Sequence, residues 1–296
     1  MDIFPGCSFK KSTGDSAPKG FYRVTDTRNT HIYFVKIVST EDANHFLKTK
    51  PLLQNLSNKG VSVNLPAREC ADFDSDHKIL CFDWLDDQFY DESIEQLLRL
   101  SRALSQLHEI LASYGKTRSN ESLVVMYFHS LRELKERSPS QDTEIIINNL
   151  LGKESRILST HSNCVQYLHN DLHRGNILFS KDKTIIFLDF EECLTSFGNP
   201  ILDISWVVER FILCRQAQEP SQNFLFEAFF NEYTFQNNRV SPELWRKILD
   251  AIQLRALFTL NLIYNEKDKG NTIVESEIDK FFQILKLAER KRKTLD

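Results

Sequence analysis

The chain has 296 residues, of which 41% are hydrophobic and 26% are charged, a composition typical of a soluble globular protein. Its formal net charge is −4, from 37 basic and 41 acidic residues, so it lacks the basic excess of proteins that bind nucleic acid. No apolar run approaches the roughly 18 residues that span a bilayer, and the first residues do not resemble a signal peptide, so we expect a cytoplasmic protein with no membrane or nucleic-acid partner.

The first eighty residues are predicted to be mostly strands. Residues 20–24 and 31–38 are rich in β-branched and aromatic side chains, and the turn-forming residues between them predict a hairpin. Apolar residues then recur at helical spacing over residues 40–58, although Pro51 could divide that helix. A further strand is predicted over residues 78–82.

The second part of the chain is predicted to be mainly helical. Residues 94–111 form an amphipathic pattern. Further helices are predicted over residues 201–215, 222–234, 242–265 and 274–292. They are interrupted by one strand-rich segment, in which residues 176–179 and 184–188 are joined by a charged turn.

This order of elements predicts the fold class and the domains. A small strand-rich part, a short hinge and a larger helical part follow one another, as in the bilobal, α+β fold of protein kinases. We therefore expect an N-terminal lobe over residues 1–85, with the hinge at its end, and a C-terminal lobe over residues 86–296. The resemblance to kinases in element order implies that the first lobe binds the nucleotide and that the second is the catalytic and acceptor-binding lobe.

Acidic and amide side chains flank the predicted hairpin. Asp171 is followed at the fifth position by Asn176, which matches the spacing H-x-D-x-x-x-x-N of a phosphoryl-transfer loop, and Asp189 follows the second strand, where a metal-binding aspartate is expected. Asp189 and Glu191 alternate along an extended chain, so both can face one side. Their hard oxygen ligands suit Mg²⁺.

The strings HNDLHRGNIL and FLDFEE together resemble the aminoglycoside phosphotransferase and choline kinase superfamily, the small-molecule branch of the protein-kinase fold. This resemblance implies that Asp171 is the catalytic base. It implies that Asn176 and Asp189 bind Mg²⁺ and that Glu191 is an accessory acidic residue. Asp203 resembles the aspartate that braces the catalytic loop. The implied reaction transfers the γ-phosphoryl group of ATP to a hydroxyl of a small molecule, such as an amino alcohol, an aminoglycoside-like compound or a sugar.

A lysine within an apolar strand is the expected phosphate contact of the N-terminal part. Lys36 corresponds to the strand lysine that pairs with the α- and β-phosphates in kinases, and an edge-strand lysine facing solvent is the alternative. The helix glutamate that should pair with it is missing at the usual place. Glu41, the only glutamate between Lys36 and Glu69, is the candidate partner.

Two further segments are expected to contact the nucleotide. The loop over residues 11–20, with Ser12 and Thr13, should cover the nucleotide, although it lacks the G-x-G-x-x-G pattern. Phe82 and Trp84 belong to the segment that resembles the family's hinge, whose backbone would hydrogen-bond the adenine.

The acceptor is expected to meet Glu191, Trp206 and Glu209. An aromatic face with carboxylates suits a cationic amine, whereas helical spacing also allows Trp206 to be a core residue. Two other functions remain open: a protein Ser/Thr kinase of the same fold, and a pseudokinase binding module. The missing helix glutamate and glycine loop favour the module, whereas the intact Asp171, Asn176 and Asp189 argue against it.

Overall fold

The computed structural model describes residues 7–13, 20–26, 32–67, 70–85, 89–114, 122–137, 140–161, 165–182, 184–216, 220–235, 241–272 and 275–295, with the backbone alone for 7–13, 20, 21 and 26. The strands in this part are β1 (Cys7–Thr13), β2 (Gly20–Asp26), β3 (Ile32–Ser39), β4 (Ser62–Val63), β5 (Ala71–Asp72), β6 (His77–Asp83), β7 (Gln166–Tyr167), β8 (Ile177–Phe179), β9 (Ile185–Phe187) and β10 (Phe197–Gly198). The helices are α1 (Thr40–Asn58), α2 (Ile94–Ser113), α3 (Leu123–Glu136), α4 (Gln141–Leu151), α5 (Glu154–His161), α6 (Ile201–Val207), α7 (Gln222–Thr234), α8 (Pro242–Asp268) and α9 (Glu275–Lys293).

The first of two compact units comprises Met1–Asp91 and Gly175–Leu194. Its larger sheet is antiparallel, in the order β1-β2-β3-β6-β5. One face buries a small core of Val24, Val35, Ile37, Ile79 and Cys81. The alternation of these residues along the strands leaves the other face to form part of a site.

Helix α1 and a second sheet complete this unit. The side chain of Ser39 caps α1 by accepting a hydrogen bond from the backbone N–H of Asp42 at 3.1 Å. The helix runs through Pro51 without a break and buries Phe46 and Leu53. In the second sheet, of order β4-β9-β8, the antiparallel β8–β9 hairpin lies beside the parallel strand β4.

The second compact unit comprises Glu92–Arg174 and Thr195–Asp296. Its long helix α8 packs against α3, α6 and α9, and α2 packs against α7. The short β7–β10 ladder places Tyr167 opposite Phe197, and the N–H of Leu168 donates to the carbonyl of Ser196 at 2.9 Å. This ladder fixes the start of the loop that contains Asp171.

The structure confirms the α+β class and the two predicted hairpins, β2–β3 and β8–β9. It differs from the sequence prediction in three ways. Helices α3, α4 and α5 were not predicted, β1 extends into the segment expected to be a loop, and the helix predicted over residues 201–215 becomes a π-helical turn at Val208–Leu213. The division into domains at residue 85 stays a prediction. No helix in the described part of the chain is long and apolar enough to cross a membrane.

Candidate functional site

A cavity of about 680 Å³ lies within the first unit. Its walls are mostly apolar, and charged side chains gather at one part of it, a combination typical of small-molecule sites. It is lined by Phe34, Lys36, Phe46, Leu53, Asn64, Phe82, Asp83, Trp84, Leu85, Phe89, Gly175, Asn176, Leu178, Leu188, Asp189, Phe190 and Glu191.

The apolar part of the cavity is built on β3 and β6. Phe34 and Phe82 are paired across these strands, and their ring centroids lie 6.3 Å apart. Phe82 also meets Phe46 edge to face at 5.5 Å, which ties α1 to the sheet. The N–H of Trp84 donates to the carbonyl of Ile32 at 3.0 Å, so the end of β6 is held against β3. Both predicted hinge residues, Phe82 and Trp84, therefore line this cavity.

The charged part brings β3 together with the segment after β9. Lys36 Nζ lies 3.1 Å from Asp189 Oδ2 and 2.8 Å from Glu191 Oε1. Burial would lower the pKa of Lys36, but the two carboxylates outweigh it and raise that pKa above its ordinary value. Burial, with Asp189, raises the pKa of Glu191 despite the nearby lysine. The cavity thus holds one cation between two carboxylates.

Asp189 and Asn176 are positioned by the β8–β9 hairpin. The N–H of Leu188 donates to the carbonyl of Asn176 at 2.9 Å, which fixes the register beside Asp189. Asp189 has φ of 62°, a left-handed conformation that is uncommon outside glycine and that concentrates at functional sites. Asn176 is buried. The hairpin therefore brings together the two residues that the sequence assigned to a metal.

The oxygen atoms around Asp189 include ligands of the kind that Mg²⁺ prefers. Among the described residues, no group of three or more His, Cys, Asp or Glu side chains is arranged to hold one. Asp189 and Asn176 supply hard oxygen ligands, and the oxygens of Asp189 and Glu191 already converge on the cation of Lys36. These groups fit Mg²⁺, which normally takes one or two carboxylates and completes its shell with water and phosphate oxygens.

The loop that contains Asp171 belongs to the second unit. Asp203 of α6 is fully buried, and its carboxylate accepts from the N–H groups of His169 at 2.9 Å and Asn170 at 2.8 Å. Asn170 has φ of 66°, so a second strained residue lies in this loop. The carboxylate of Asp171 is 40% exposed and lies 3.5 Å from His173 Nε2. Asp203 braces the loop, and the Asp171 side chain is left accessible.

A buried network extends this brace. His108 Nε2 lies 3.1 Å from Asp203 Oδ2, and its Nδ1 lies 2.8 Å from the hydroxyl of Tyr233. Burial would raise the pKa of Asp203, but the hydrogen bond and charge of His108, with the N–H of Asn170, hold it below its ordinary value. The Asp203 carboxylate therefore stays charged inside the unit.

Trp206 and Glu209 contact a cation from the chain itself. The guanidinium of Arg255 lies 3.7 Å from the centroid of the Trp206 ring and is ion-paired with Glu209. Arg255 also donates to Ser205 Oγ at 2.9 Å. Glu209 is 1% exposed. The aromatic face and carboxylate expected to bind an amine are thus engaged by Arg255, while Glu191 lies in the other unit beside Lys36.

Of three predicted nucleotide contacts, Glu41 lies away from Lys36, and the side chains of Ser12 and Thr13 are not described. Lys36 has different partners from Glu41, which is an exposed residue in the first turn of α1. A role for Glu41 in holding the nucleotide stays a prediction. The side chains of Ser12 and Thr13, and residues 14–19 of the predicted covering loop, lie outside the described part of the structure.

Sequence reasoning missed His108 and Arg255, although the sequence contained indications of both. His108 follows Leu104 and Leu107 on the apolar face of α2, where a polar residue needs a buried partner. Arg255 stands within the apolar run AIQLRALF of α8. A charge at such a place is buried only when it is paired, but its partner Glu209 on the π-helical turn cannot be identified from the sequence.

Comparison with known proteins agrees with this geometry. Residues 13–243 match the model of the phosphotransferase enzyme family (APH). Among solved structures, an amicoumacin kinase in complex with AMP-PNP, Ca²⁺ and Ami has a TM-score of 0.66 at 16% identity, over 96% of this chain and 88% of the other. The choline kinase LicA from Streptococcus pneumoniae has a TM-score of 0.62 at 17% identity, over 96% and 93%.

A third solved structure, an aminoglycoside-3'-phosphotransferase of type VIII, has a TM-score of 0.58 at 19% identity, over 87% of this chain and 96% of the other. At these identities the likeness shows the fold, and it confirms the predicted protein-kinase-like fold. The comparison with curated protein sequences gave no match.

Proposed function

The chain belongs to the phosphotransferase enzyme family, and from that premise we propose that it is an ATP- and Mg²⁺-dependent kinase whose acceptor is a hydroxyl group of a small molecule. The observation that carries this proposal is the cavity of the first unit, where apolar walls meet Lys36, Asn176 and Asp189. The amicoumacin kinase of similar fold was solved with AMP-PNP, which also supports a nucleotide ligand.

The apolar part and the charged part of the cavity would each hold a different part of the nucleotide. The adenine would lie among Phe34, Phe82 and the backbone of residues 83–85, where apolar contacts dominate. The phosphates would extend toward Lys36. Its ammonium is held at 12% exposure between two carboxylates, so the lysine is positioned and charged before a ligand arrives.

Mg²⁺ would be held by Asp189 and Asn176, and when bound it would neutralise the charge of the phosphates. Glu191 would keep Lys36 oriented as Asp189 turns to the metal, because its carboxylate is the closer of the two at 2.8 Å. The strained backbone at Asp189 supports this role. Its φ of 62° gives the carboxylate a different direction from the one that an extended continuation of β9 would give.

Asp171 would orient the acceptor hydroxyl and accept its proton. A bond forms between the acceptor oxygen and the γ-phosphorus, the bond from that phosphorus to the bridging oxygen of ADP breaks, and the hydroxyl proton passes to Asp171. The loop is pre-organised for this by the two N–H groups that donate to Asp203.

The test measures ADP formation by the full chain with ATP, Mg²⁺ and pooled hydroxylated acceptors. Asp171→Asn should lower kcat by about 10²–10⁴ because it removes proton acceptance. The ATP affinity, measured by calorimetry, should stay nearly unchanged. Asp142→Asn, at an exposed position in the first turn of α4, is the matched control. Wild-type turnover in Asp171→Asn would remove this residue from the mechanism.

The same experiment separates the other functions. Nucleotide binding without ADP formation for any acceptor, including protein substrates, would indicate a binding module and contradict the proposal. Phosphate incorporation into a protein substrate alone would indicate a protein kinase.

A further inference from the structure

Four arginine side chains of the second unit gather around two glutamates. We call Arg174, Arg210, Arg215 and Arg255, with Glu92 and Glu209, the arginine cluster. Arg174 and Arg215 share Glu92, at 3.2 and 3.9 Å. Arg255 and Arg210 share Glu209, and Arg210 Nε lies 2.8 Å from Glu209 Oε1. Each carboxylate thus faces two guanidinium groups, and these pairs contain more positive than negative charge.

The two pairs belong to one site. Arg174 Nε donates to the backbone carbonyl of Arg210 at 2.8 Å, which joins the Glu92 pair to the Glu209 pair. Cys214 lies among the same groups: burial and the charge of Glu209 raise the pKa of its thiol, and three guanidinium groups of the cluster act to lower it. The backbone supports the site as well, because Arg210 lies in the π-helical turn and Glu92 has φ of 66°. Both features concentrate at functional sites.

Several buried donors of this site make no hydrogen bond. Within the described residues, these are Arg210 Nε, Arg215 Nε and Trp206 Nε1. Arg210 Nε lies 2.8 Å from Glu209 Oε1 and Arg215 Nε lies 3.9 Å from Glu92 Oε2, but neither ion pair has the geometry of a hydrogen bond. Buried donors without acceptors are rare in native proteins and call for a water, an ion or a ligand.

The cluster is attached to the loop that carries the reaction. Arg174 follows Asp171 by three positions, and its guanidinium reaches back to Glu92 at the start of the unit. Guanidinium groups recognise carboxylates and phosphates by charge-assisted hydrogen bonds. A cationic acceptor would instead meet Arg210 and Arg255, which both pair with Glu209 and both lie over the ring of Trp206.

Building on the proposed function, we infer that the acceptor carries an anionic group, a carboxylate or a phosphate, in addition to its hydroxyl, and that the arginine cluster binds this group with Arg210 and Arg215 as its donors. This replaces the amine that the sequence predicted. The hydroxyl would then point to Asp171, while the anion is held by Arg210 of the π-helical turn and by Arg215, which follows that turn.

The first test compares acceptors in matched sets: glycerol, glycerate and glycerol phosphate; glucose, gluconate and glucose 6-phosphate; and the cations choline, ethanolamine and kanamycin. The anionic members should have kcat/KM about tenfold or more above their neutral partners, as charge-assisted hydrogen bonds would give. Preferred turnover of a neutral or cationic member would overturn the inference while leaving the kinase assignment intact.

The second test needs no turnover. With the nucleotide cavity saturated by AMP-PNP and Mg²⁺, the binding of inorganic phosphate is titrated by calorimetry. Arg210→Gln and Arg215→Gln should weaken it by about tenfold. Arg132→Gln is the matched control, since that arginine pairs with Glu154 on the surface at 2.6 Å. Equal phosphate affinity in all variants, or no phosphate binding by the wild type, would overturn the inference.

A third variant distinguishes the loss of a contact with the anion from a general loss of stability. Arg210→Lys keeps the charge, so it should retain more phosphate affinity than Arg210→Gln even if both lose some stability. Equal losses in the two would mean that Arg210 only supports the fold, and the inference would fail. Failure of AMP-PNP to bind the wild type would contradict the proposed function alone, because the phosphate titration can be repeated without nucleotide.

Discussion

The sequence lacks the helix glutamate that should pair with Lys36, and carboxylates from a distant part of the chain pair with this lysine instead. The helix that should carry its glutamate partner offers only the exposed Glu41, yet the ammonium lies between two carboxylates that are more than 150 positions away in the chain. The alternation of Asp189 and Glu191 predicted that they face one side. Their contact with Lys36 depends on how the β8–β9 hairpin packs, and local sequence patterns do not predict that packing.

A double-mutant cycle tests this pairing. Lys36→Met and Glu191→Gln should each lower the free energy of unfolding, and their interaction energy should be about 0.5–3 kcal/mol because the groups are in contact. The pair Lys36→Met and Glu41→Gln is the control, and its effects should add within about 0.5 kcal/mol. Urea unfolding gives both values. Coupling of Lys36 to Glu41 and not to Glu191 would contradict the arrangement.

At the scale of elements, patterns of apolar spacing predicted most helices but not all. α4 contains three consecutive isoleucines and α3 begins with Leu-Val-Val, runs that suit a strand as well as a helix. Packing against α8 decides in favour of helix. The strand hairpin β8–β9 was predictable because a charged turn separates two short apolar runs, and most of the candidate site depends on it.

The brace of the catalytic loop is an interaction among elements, since His108, Asp203 and Tyr233 come from α2, α6 and α7. His108→Ala should lower kcat and the free energy of unfolding, the latter by about 2 kcal/mol, because a hydrogen bond to a charged buried group is lost. Tyr233→Phe should cost about 1 kcal/mol. ATP affinity should not change in either, since none of these three residues lines the cavity of the first unit.

His108→Gln distinguishes positioning from general stability. The glutamine amide can still donate to Asp203, so kcat should recover relative to His108→Ala when both are assayed well below their melting temperatures. If kcat is equal in the two variants, or if ATP KM rises with no loss of kcat, the network does not position the loop.

For the molecule as a whole, the helical core of the second unit makes stability depend on pH. His161, at the end of α5, is 3% exposed, and within the described residues its Nδ1 has no hydrogen-bond partner. Burial, opposed by Asp250 and aided by Lys247, lowers the pKa of His161 to about 4. The carboxylate of Asp250 favours the charged imidazole but does not outweigh burial, and it also pairs with Arg292 at 2.6 Å.

The sign of the pH effect follows from this depressed pKa. Below pH 6.5, His161 takes up a proton in the unfolded chain. In the folded chain the imidazole stays neutral until the pH falls to about 4. The unfolded state therefore binds more protons in this window, and the free energy of unfolding should fall by roughly 3 kcal/mol on going from pH 6.5 to pH 4.

His161→Gln should remove this part of the pH dependence, whereas His129→Gln, at an exposed position on α3, should keep the wild-type slope. Urea unfolding at intervals between these pH values measures the slopes. Equal slopes for wild type and His161→Gln would show that the imidazole is protonated alike in both states.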